Sequence, residues 1–442
     1  MEGLTHTQPR RLYAICDCDN CFVSCERVFR PDLEGKAVVV LSNNDGCVVA
    51  RSSEAKALGI RMGVPYFEMR REFDESQVVA FSSNYELYAD MTARVMSLIK
   101  KAAPAFFRYS IDEAFCMLPP GEATEAKSWG EALAKRVRKF TGMPLSIGIA
   151  PTKTLAKVAV RFAKKYRAYN RCCVISTDEQ RRKALELTEV ADVWGIGRRM
   201  APRLRRERVD NALQLAEKPL EWVKARFNIV FQRTYLELRG VDCIPDEKAA
   251  PKKTILTSRS FDGLVSDLDT LRTHVANFAA RGAEKLRRQG SVASTVGVFI
   301  VTNRFREDLP QYGNMIDYRM ANSTSSTVEI VEAAHKALDK IYRPGYQYKK
   351  AGVMMIGISD GNVRQPDLFE YSPERQERMT KLDRAIDLIN RIQGRDTVTI
   401  GSQRYDDKAH PGGKSRPFAD VIRHDHRSPS PTTRWPDIIK LK

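Results

Sequence analysis

One order of short apolar segments and longer amphipathic ones occurs twice in this chain, and that order is the tightest constraint on its fold. Residues 12–17, 106–110, 112–118 and 145–150 read as strands, and 20–30, 85–102, 131–140 and 152–166 have helical spacing. A strand–helix–strand–strand–helix–strand run closes into one sheet, here expected to carry its helices on one face. Residues 254–358 repeat the order with strands at 254–260, 292–303, 314–320 and 347–358 and helices at 267–289 and 327–341. The two stretches share element order and no evident sequence identity. The expected class is therefore α+β and multidomain, as a length of 442 residues also implies.

The remaining segments fall around these two. Residues 30–80 read as a small insertion, with a strand at 36–42, the turn NNDG at 43–46, a strand at 47–50 and a Ser-capped helix at 52–60. Residues 181–240 are helical and 247–253 read as a linker. Residues 401–442 hold five Pro and three Gly with little periodicity, so a weakly ordered tail is expected. The chain has no apolar run of the ~18 residues that a membrane helix needs, and MEGLTHTQPRR has no apolar leader core, so no membrane partner is expected. Nine cysteines without an export signal favour reduced thiols in a cytosol over a disulfide framework.

The formal charge of +18 invites a polyanion. It is densest in 181–240, where 14 basic residues face 8 acidic ones. Lys153, Lys157, Arg161 and Lys164 recur on one helical face, a cationic stripe suited to a triphosphate or a DNA backbone or simply to solvent. In VWGIGRRMAPRLRRERV (193–209), Gly195 and Gly197 lie between helical segments and Arg198 and Arg199 follow at once. That is the pattern of a helix-hairpin-helix, whose glycines let a phosphate approach backbone amides.

Acids end the first strand at Asp17 and Asp19, and Asp112 and Glu113 open a strand in the middle of the sheet. Carboxylates from neighbouring strand ends suit two Mg²⁺ ions ~3.5–4 Å apart, the arrangement for phosphoryl transfer. Such acids also cap turns in ordinary sheets, and Asp112 and Glu113 reach one site only if the strand begins or bulges there. Cys16, Cys18, Cys21 and Cys25 have no partner at finger-like spacing, so core thiols are expected rather than zinc.

Seven segments together resemble the Y-family DNA polymerases, and within them the UmuC type. They are DCDNCFVSCE (17–26), VVVLSNNDGCVVARSSEAKALGI (38–60), YSIDEAF (109–115), GIAPTKTLAK (148–157), DVWGIGRR (192–199), RSFDG (259–263) and KKAGVMM (349–355). The resemblance runs from about residue 12 to the C-terminus. It implies a right-hand polymerase with a βαββαβ palm (1–29 and 81–175), small fingers (30–80), a helical thumb with the helix-hairpin-helix (176–240), a linker (241–250), a second βαββαβ little finger (251–358) and a C-terminal region (359–442).

The resemblance also implies roles. Asp17, Asp112 and Glu113 match the catalytic metal-binding carboxylates, with the Cys18 carbonyl as a further ligand for two Mg²⁺ ions. Phe22 matches the steric gate against a 2′-OH, and Lys157 the lysine at the incoming triphosphate. Lys56 and Ser53 stand where many relatives have Arg and Tyr at the phosphates, and Cys21 where an aromatic is common. Gly195, Gly197, Arg198 and Arg199 would hold DNA. QPDLF (365–369) resembles a peptide that docks on the bacterial sliding clamp, with Leu368 and Phe369 in an apolar groove and Gln365 at its edge. The implied activity is error-prone translesion synthesis on primer-template DNA with dNTPs, in damage tolerance and SOS mutagenesis, alongside a processed UmuD dimer and a RecA filament. A two-metal nuclease and a non-catalytic DNA-binding subunit are the competing readings of the same acids.

Overall fold

The computed structural model describes residues 11–246, 251–362, 372–394, 396–403 and 424–438. It divides into two compact units, residues 1–248 with 425–442, and residues 249–424.

The first unit begins with β1 (Leu12–Cys18), α1 (Cys21–Phe29), β2 (Val38–Leu41), β3 (Val48–Arg51), α2 (Ser53–Ala57), α3 (Tyr66–Glu75) and β4 (Val79–Ser82). It continues through α4 (Tyr85–Ala102), β5 (Ala105–Arg108), β6 (Glu113–Leu118), α5 (Ala123–Thr141), β7 (Leu145–Ala150), α6 (Lys153–Lys165) and β8 (Cys172–Val174). Five short helices follow: α7 (Asp178–Glu186), α8 (Met200–Arg206), α9 (Ala212–Glu217), α10 (Leu220–Arg226) and α11 (Ile229–Leu238).

The main sheet has the order β5-β6-β1-β7-β8, which places β1 at its centre. Its helices lie on both faces, not on one as the element order suggested. The reason is in β1 itself, which is apolar at both sets of alternating positions. Leu12, Ala14 and Cys16 enter a core with α1, α4 and α5, while Tyr13 and Ile15 enter another with α6 and the helices beyond residue 177. Cys16, Cys18, Cys21, Cys25, Cys116 and Cys172 are core residues, and all nine thiols are free. Gly148 on β7 allows the close approach of α6: a Cβ there would stand 2.2 Å from the Val160 amide nitrogen and 2.3 Å from the Ala156 carbonyl oxygen. Neither is the end of a flexible side chain. Gly148→Ala is therefore expected to destabilise this unit by about 3 kcal/mol, checked by urea unfolding, because backbone must move to admit the methyl group.

Residues 38–82 form a second, small sheet of order β3-β2-β4, with β2 parallel to β4. Ser52 caps α2 by accepting from the Ala55 amide, as its sequence suggested.

The second unit holds β9 (Ile255–Val265), α12 (Leu268–Gln289), β10 (Ser291–Thr302), β11 (Gly313–Thr324), α13 (Thr327–Ile341) and β12 (Tyr348–Asp360). Its antiparallel sheet runs β11-β10-β12-β9, with α12 and α13 packed together and over the core.

The C-terminal region departs most from expectation. Residues Pro373–Ile392 form a helix, α14, in the second unit. Arg287 on α12 holds it through Asp387 at 2.7 Å and Asp383 at 3.4 Å. Residues 424–438 are not a loose tail: Arg427 forms a parallel bridge to Ser82 beside the small sheet. The clamp-like segment with Gln365, Leu368 and Phe369 lies outside the described residues.

Candidate active site

β1 is buried until its C-terminal end, where the chain turns through Asn20 in a left-handed conformation (φ 47°) into α1. That end presents Asp17 and the Cys18 backbone. The neighbouring β6 begins at Glu113, directly opposite Asp17 in the antiparallel register. Asp112 therefore sits in the turn before the strand and escapes the alternation that would have pointed it away. The Ser110 hydroxyl shapes this turn, donating to the Asp112 carboxylate at 2.6 Å and accepting from the amides of Asp112 (3.2 Å) and Glu113 (3.0 Å).

A cleft of about 1750 Å³ opens here. Asp17, Cys18, Asp19, Phe22, Asp112 and Lys164 line it from the ends of the main-sheet strands, α1 and α6, and Arg51, Ser53 and Lys56 from the small sheet side. The Lys56 ammonium donates to Asn20 at 2.6 Å, and Asn20 donates to the Ser53 hydroxyl at 3.3 Å. Burial, then Arg51 and Lys164, push the Lys56 ammonium below its ordinary range. Phe22 is half-buried and stacks on Tyr88, with ring centroids 4.6 Å apart and planes at 14°.

The expected cationic stripe on α6 is not free. Each member meets an acid: Lys153 with Asp246 at 2.7 Å, Lys157 with Glu113 at 2.6 Å, Arg161 with Asp192, and Lys164 with Asp17 at 2.7 Å. Of the two lysines nearest the acids, Lys164 lines the cleft and Lys157 does not. Lys157 lies instead among rings, 4.7 Å from the Tyr109 centroid and 5.8 Å from that of Trp194. Lys157 and Lys164 are seven residues apart, two turns on one face, so periodicity could not separate them.

Burial pushes the Asp17 carboxyl up to about 7, Lys164 pulls it down, and Glu113 adds to the rise. Burial opposes the charge of Lys164 in turn, yet Asp17, Asp19 and Glu113 hold it above its ordinary value. Asp19 takes the Ser146 hydroxyl at 2.9 Å and Arg171 on one oxygen, and its other buried oxygen has no hydrogen-bond donor. The cleft thus concentrates acidic oxygens, with Asp17 met by the Lys164 ammonium and one Asp19 oxygen by the Arg171 guanidinium.

Oxygen-only donors of this kind fit a hard cation such as Mg²⁺. Among the described residues no three acidic, His or Cys side chains close around one point as they stand. Asp17 and Glu113 spend their carboxylates on Lys164 and Lys157, and those ammonium groups occupy the positive side of each pair.

Beyond residue 177 the expected hairpin is shorter than two full helices. A single 3₁₀ turn (190–192) leads through Gly195, at φ 89°, into α8. A Cβ on Gly195 would press within 3.0 Å of the Thr234 hydroxyl, while Gly197 faces open space. Arg198 and Arg199 are exposed and form no ion pair among the described residues.

These features define a class: a central sheet of this order, acid-ended at β1 and β6 beside a small finger-like sheet and followed by a second α+β unit, is the architecture of Y-family DNA polymerases. Solved structures agree. A Y-family polymerase chimera of Dbh and Dpo4 superimposes with a TM-score of 0.61 at 18% identity, over 78% of this chain and 99% of that one. An insertion ternary complex of Dbh DNA polymerase gives 0.53 with the same identity and coverage. Residues 16–161 match the impB/mucB/samB family, 252–368 the C-terminal domain of that family, and 380–441 a domain of unknown function. The chain is 41% identical to Protein UmuC of Salmonella typhimurium over 98% of its own length and 100% of that protein's. It is 36% identical to Protein MucB of Escherichia coli, over 97% and 99%. The chain belongs to the impB/mucB/samB family, the UmuC type of Y-family polymerase.

Sequence reasoning missed Lys164 as a cleft residue apart from its stripe, and missed Arg51, Asn20 and Tyr88. Asn20 and Arg51 adjoin quoted motif residues. Nothing in the periodicity of α4 marks Tyr88 as the support of Phe22. No helix among the described residues is long and apolar enough to cross a membrane.

Proposed function

We propose that this DNA-directed DNA polymerase performs error-prone translesion synthesis, adding dNTPs to a primer 3′-OH by nucleotidyl transfer at the cleft lined by Asp17 and Asp112, with Glu113 beside it. The observation that carries the reading is the meeting of Asp17, Asp112, Phe22, Lys56 and Lys164 in one cleft. Carboxylates alone suit many phosphoryl-transfer enzymes. Carboxylates with an aromatic floor and two cations suit a nucleoside triphosphate.

On this reading residues 1–29 with 81–175 are the palm, 30–80 the fingers, 176–240 the thumb, 241–250 a linker and 251–358 the little finger. The palm acids would hold two Mg²⁺ ions with the Cys18 carbonyl, and those ions would supply Lewis-acid charge for the transfer. Asp17 and Glu113 take up that task only when Lys164 and Lys157 leave them. Lys164 is then released toward the phosphates while staying inside the cleft. Lys56 and Ser53 approach the triphosphate from the fingers, Phe22 lies under the sugar, and Gly195, Gly197, Arg198 and Arg199 grip the duplex backbone. The sliding clamp, through Gln365, Leu368 and Phe369, and the processed UmuD dimer and RecA filament are partners that family membership suggests, in a bacterial cytoplasm.

The two lysines separate experimentally. Lys164→Ala is expected to raise the KM for dNTP about thirtyfold, the effect of truncating a buried, charge-paired group. Lys157→Ala is expected to change KM by less than a third as much, since its ammonium lies outside the cleft. Steady-state incorporation of a single nucleotide checks both. The reverse ranking would return the triphosphate contact to Lys157.

A further inference from the structure

The chain returns to its first unit after the second one. Residues 425–437 lie across the place where the small sheet meets α4. The Asp425 amide donates to Asp45 at 2.9 Å, in the turn between β2 and β3. The Ser82 amide donates to the His426 carbonyl at 3.0 Å, and the His426 amide returns a bond to the Ser82 hydroxyl at 2.9 Å. Asn84, wholly buried, donates to the carbonyls of Ser428 (3.0 Å) and Pro429 (3.2 Å) and accepts from the Ser430 hydroxyl at 3.2 Å. Glu86, in the first turn of α4, takes Arg434 at 2.9 Å and Arg427 at 3.3 Å. The exposed Glu86 pairs add little. The buried bonds at Ser82 and Asn84 are the anchors, because breaking them strands polar groups away from water.

One bond carries this segment into the active site. The Ser428 hydroxyl donates to Glu26 Oε1 at 2.9 Å, and the Tyr88 hydroxyl donates to the same oxygen at 2.6 Å. Glu26 is 2% exposed, and burial raises its carboxyl, so both donors matter to it. Tyr88 is the ring on which Phe22 stacks, and Tyr85 meets Phe22 edge-on at 5.8 Å. A path of three contacts therefore runs from Ser428 through Glu26 and Tyr88 to Phe22.

We propose that residues 425–437 are an internal strap that fixes the depth of Phe22 in the cleft, with Ser428 a positioning residue for sugar discrimination. This rests on the reading of Phe22 as the sugar gate. It gives a role to the last part of the segment that matches a domain of unknown function. The physical reason is that a gate excludes a 2′-OH only when it cannot recede. Phe22 lies on α1 with one face against Tyr88, and Tyr88 is held from behind by a carboxylate that the strap completes. Without the Ser428 hydroxyl, Glu26 loses one of its two donors and Tyr88 is less firmly placed.

The test uses the full-length chain and compares kcat/KM for a dNTP and its matching rNTP opposite one template base. Ser428→Ala is expected to lower the ratio about fivefold, the net weight of one ordinary hydrogen bond, with dNTP incorporation itself nearly unchanged. Ser428→Thr, which keeps the hydroxyl, is expected to keep the ratio. Tyr88→Phe removes the other donor, and the double variant is expected to fall short of the product of the two effects because both act through Glu26. Phe22→Ala serves as the reference. Should Phe22→Ala lose discrimination while Ser428→Ala and removal of residues 425–442 both retain it, the strap is overturned and the gate stands. Unchanged discrimination in Phe22→Ala overturns the gate, and the strap with it. Equal losses in Ser428→Ala and Ser428→Thr also overturn the hydroxyl's role, since packing alone would then explain them.

Discussion

Asp112→Asn is expected to abolish primer extension, by about a thousandfold or more, while leaving primer-template binding intact; a loss of that order follows when an essential charge is removed from a preorganised site. The expectation rests on where Asp112 stands. It lies in the Ser110–Glu113 turn, held by the Ser110 hydroxyl at 2.6 Å, and it forms no ion pair among the described residues. An Asn carboxamide oxygen accepts the same hydrogen bond in the same space. The substitution therefore removes charge without stranding a cation or opening a cavity. Asp17→Asn is a poorer test, because it also strips Lys164 of its partner. Single-turnover extension measures the first effect and fluorescence anisotropy with labelled primer-template the second. Extension retained within tenfold of the parent would remove Asp112 from the chemistry.

Phe22→Ala carries the second large effect. Discrimination between dNTP and rNTP is expected to fall about a hundredfold, the order of selectivity that one hydroxyl's steric exclusion supplies. Incorporation of dNTP is expected to fall far less, since the carboxylates are untouched. Phe22 is half-buried, and its loss leaves the stacked face of Tyr88 open to the cleft. Competing dNTP and rNTP in one reaction, with the products separated by alkali cleavage at ribonucleotides, gives the ratio directly. An unchanged ratio would leave the sugar-facing wall to another residue, with Tyr85 the next ring at hand.

How much of this was legible in the sequence varied with the range of the interactions. Acids that end apolar strands are a local signal: Asp17 and Asp112 line one cleft, and Glu113 stands opposite Asp17 in the strand register. The strand begins at Glu113 and leaves Asp112 in the turn before it, a one-residue boundary that pattern does not fix. The two-sided burial of the main sheet was written in β1, since both alternating sets in LYAIC are apolar, yet element order alone pointed to one face. Helix α14 was missed because PERQERMTKLDRAIDLINRI is polar nearly all round, and Arg287 holds it through Asp383 and Asp387. The strap was illegible for a plainer reason. Ser428 and Glu26 are 402 residues apart in sequence, and a Pro-rich, aperiodic segment carries no mark of the surface it will cover.

Family membership and the cleft together make templated synthesis the central claim. The most direct measurement is primer extension by the full chain with Mg²⁺ on a defined template, supplying the four dNTPs one at a time opposite each template base. The expected result is one-nucleotide extension that favours the complementary dNTP at every template base and is absent in Asp112→Asn. Shortening of the primer or template, or addition indifferent to the template base, would contradict the account.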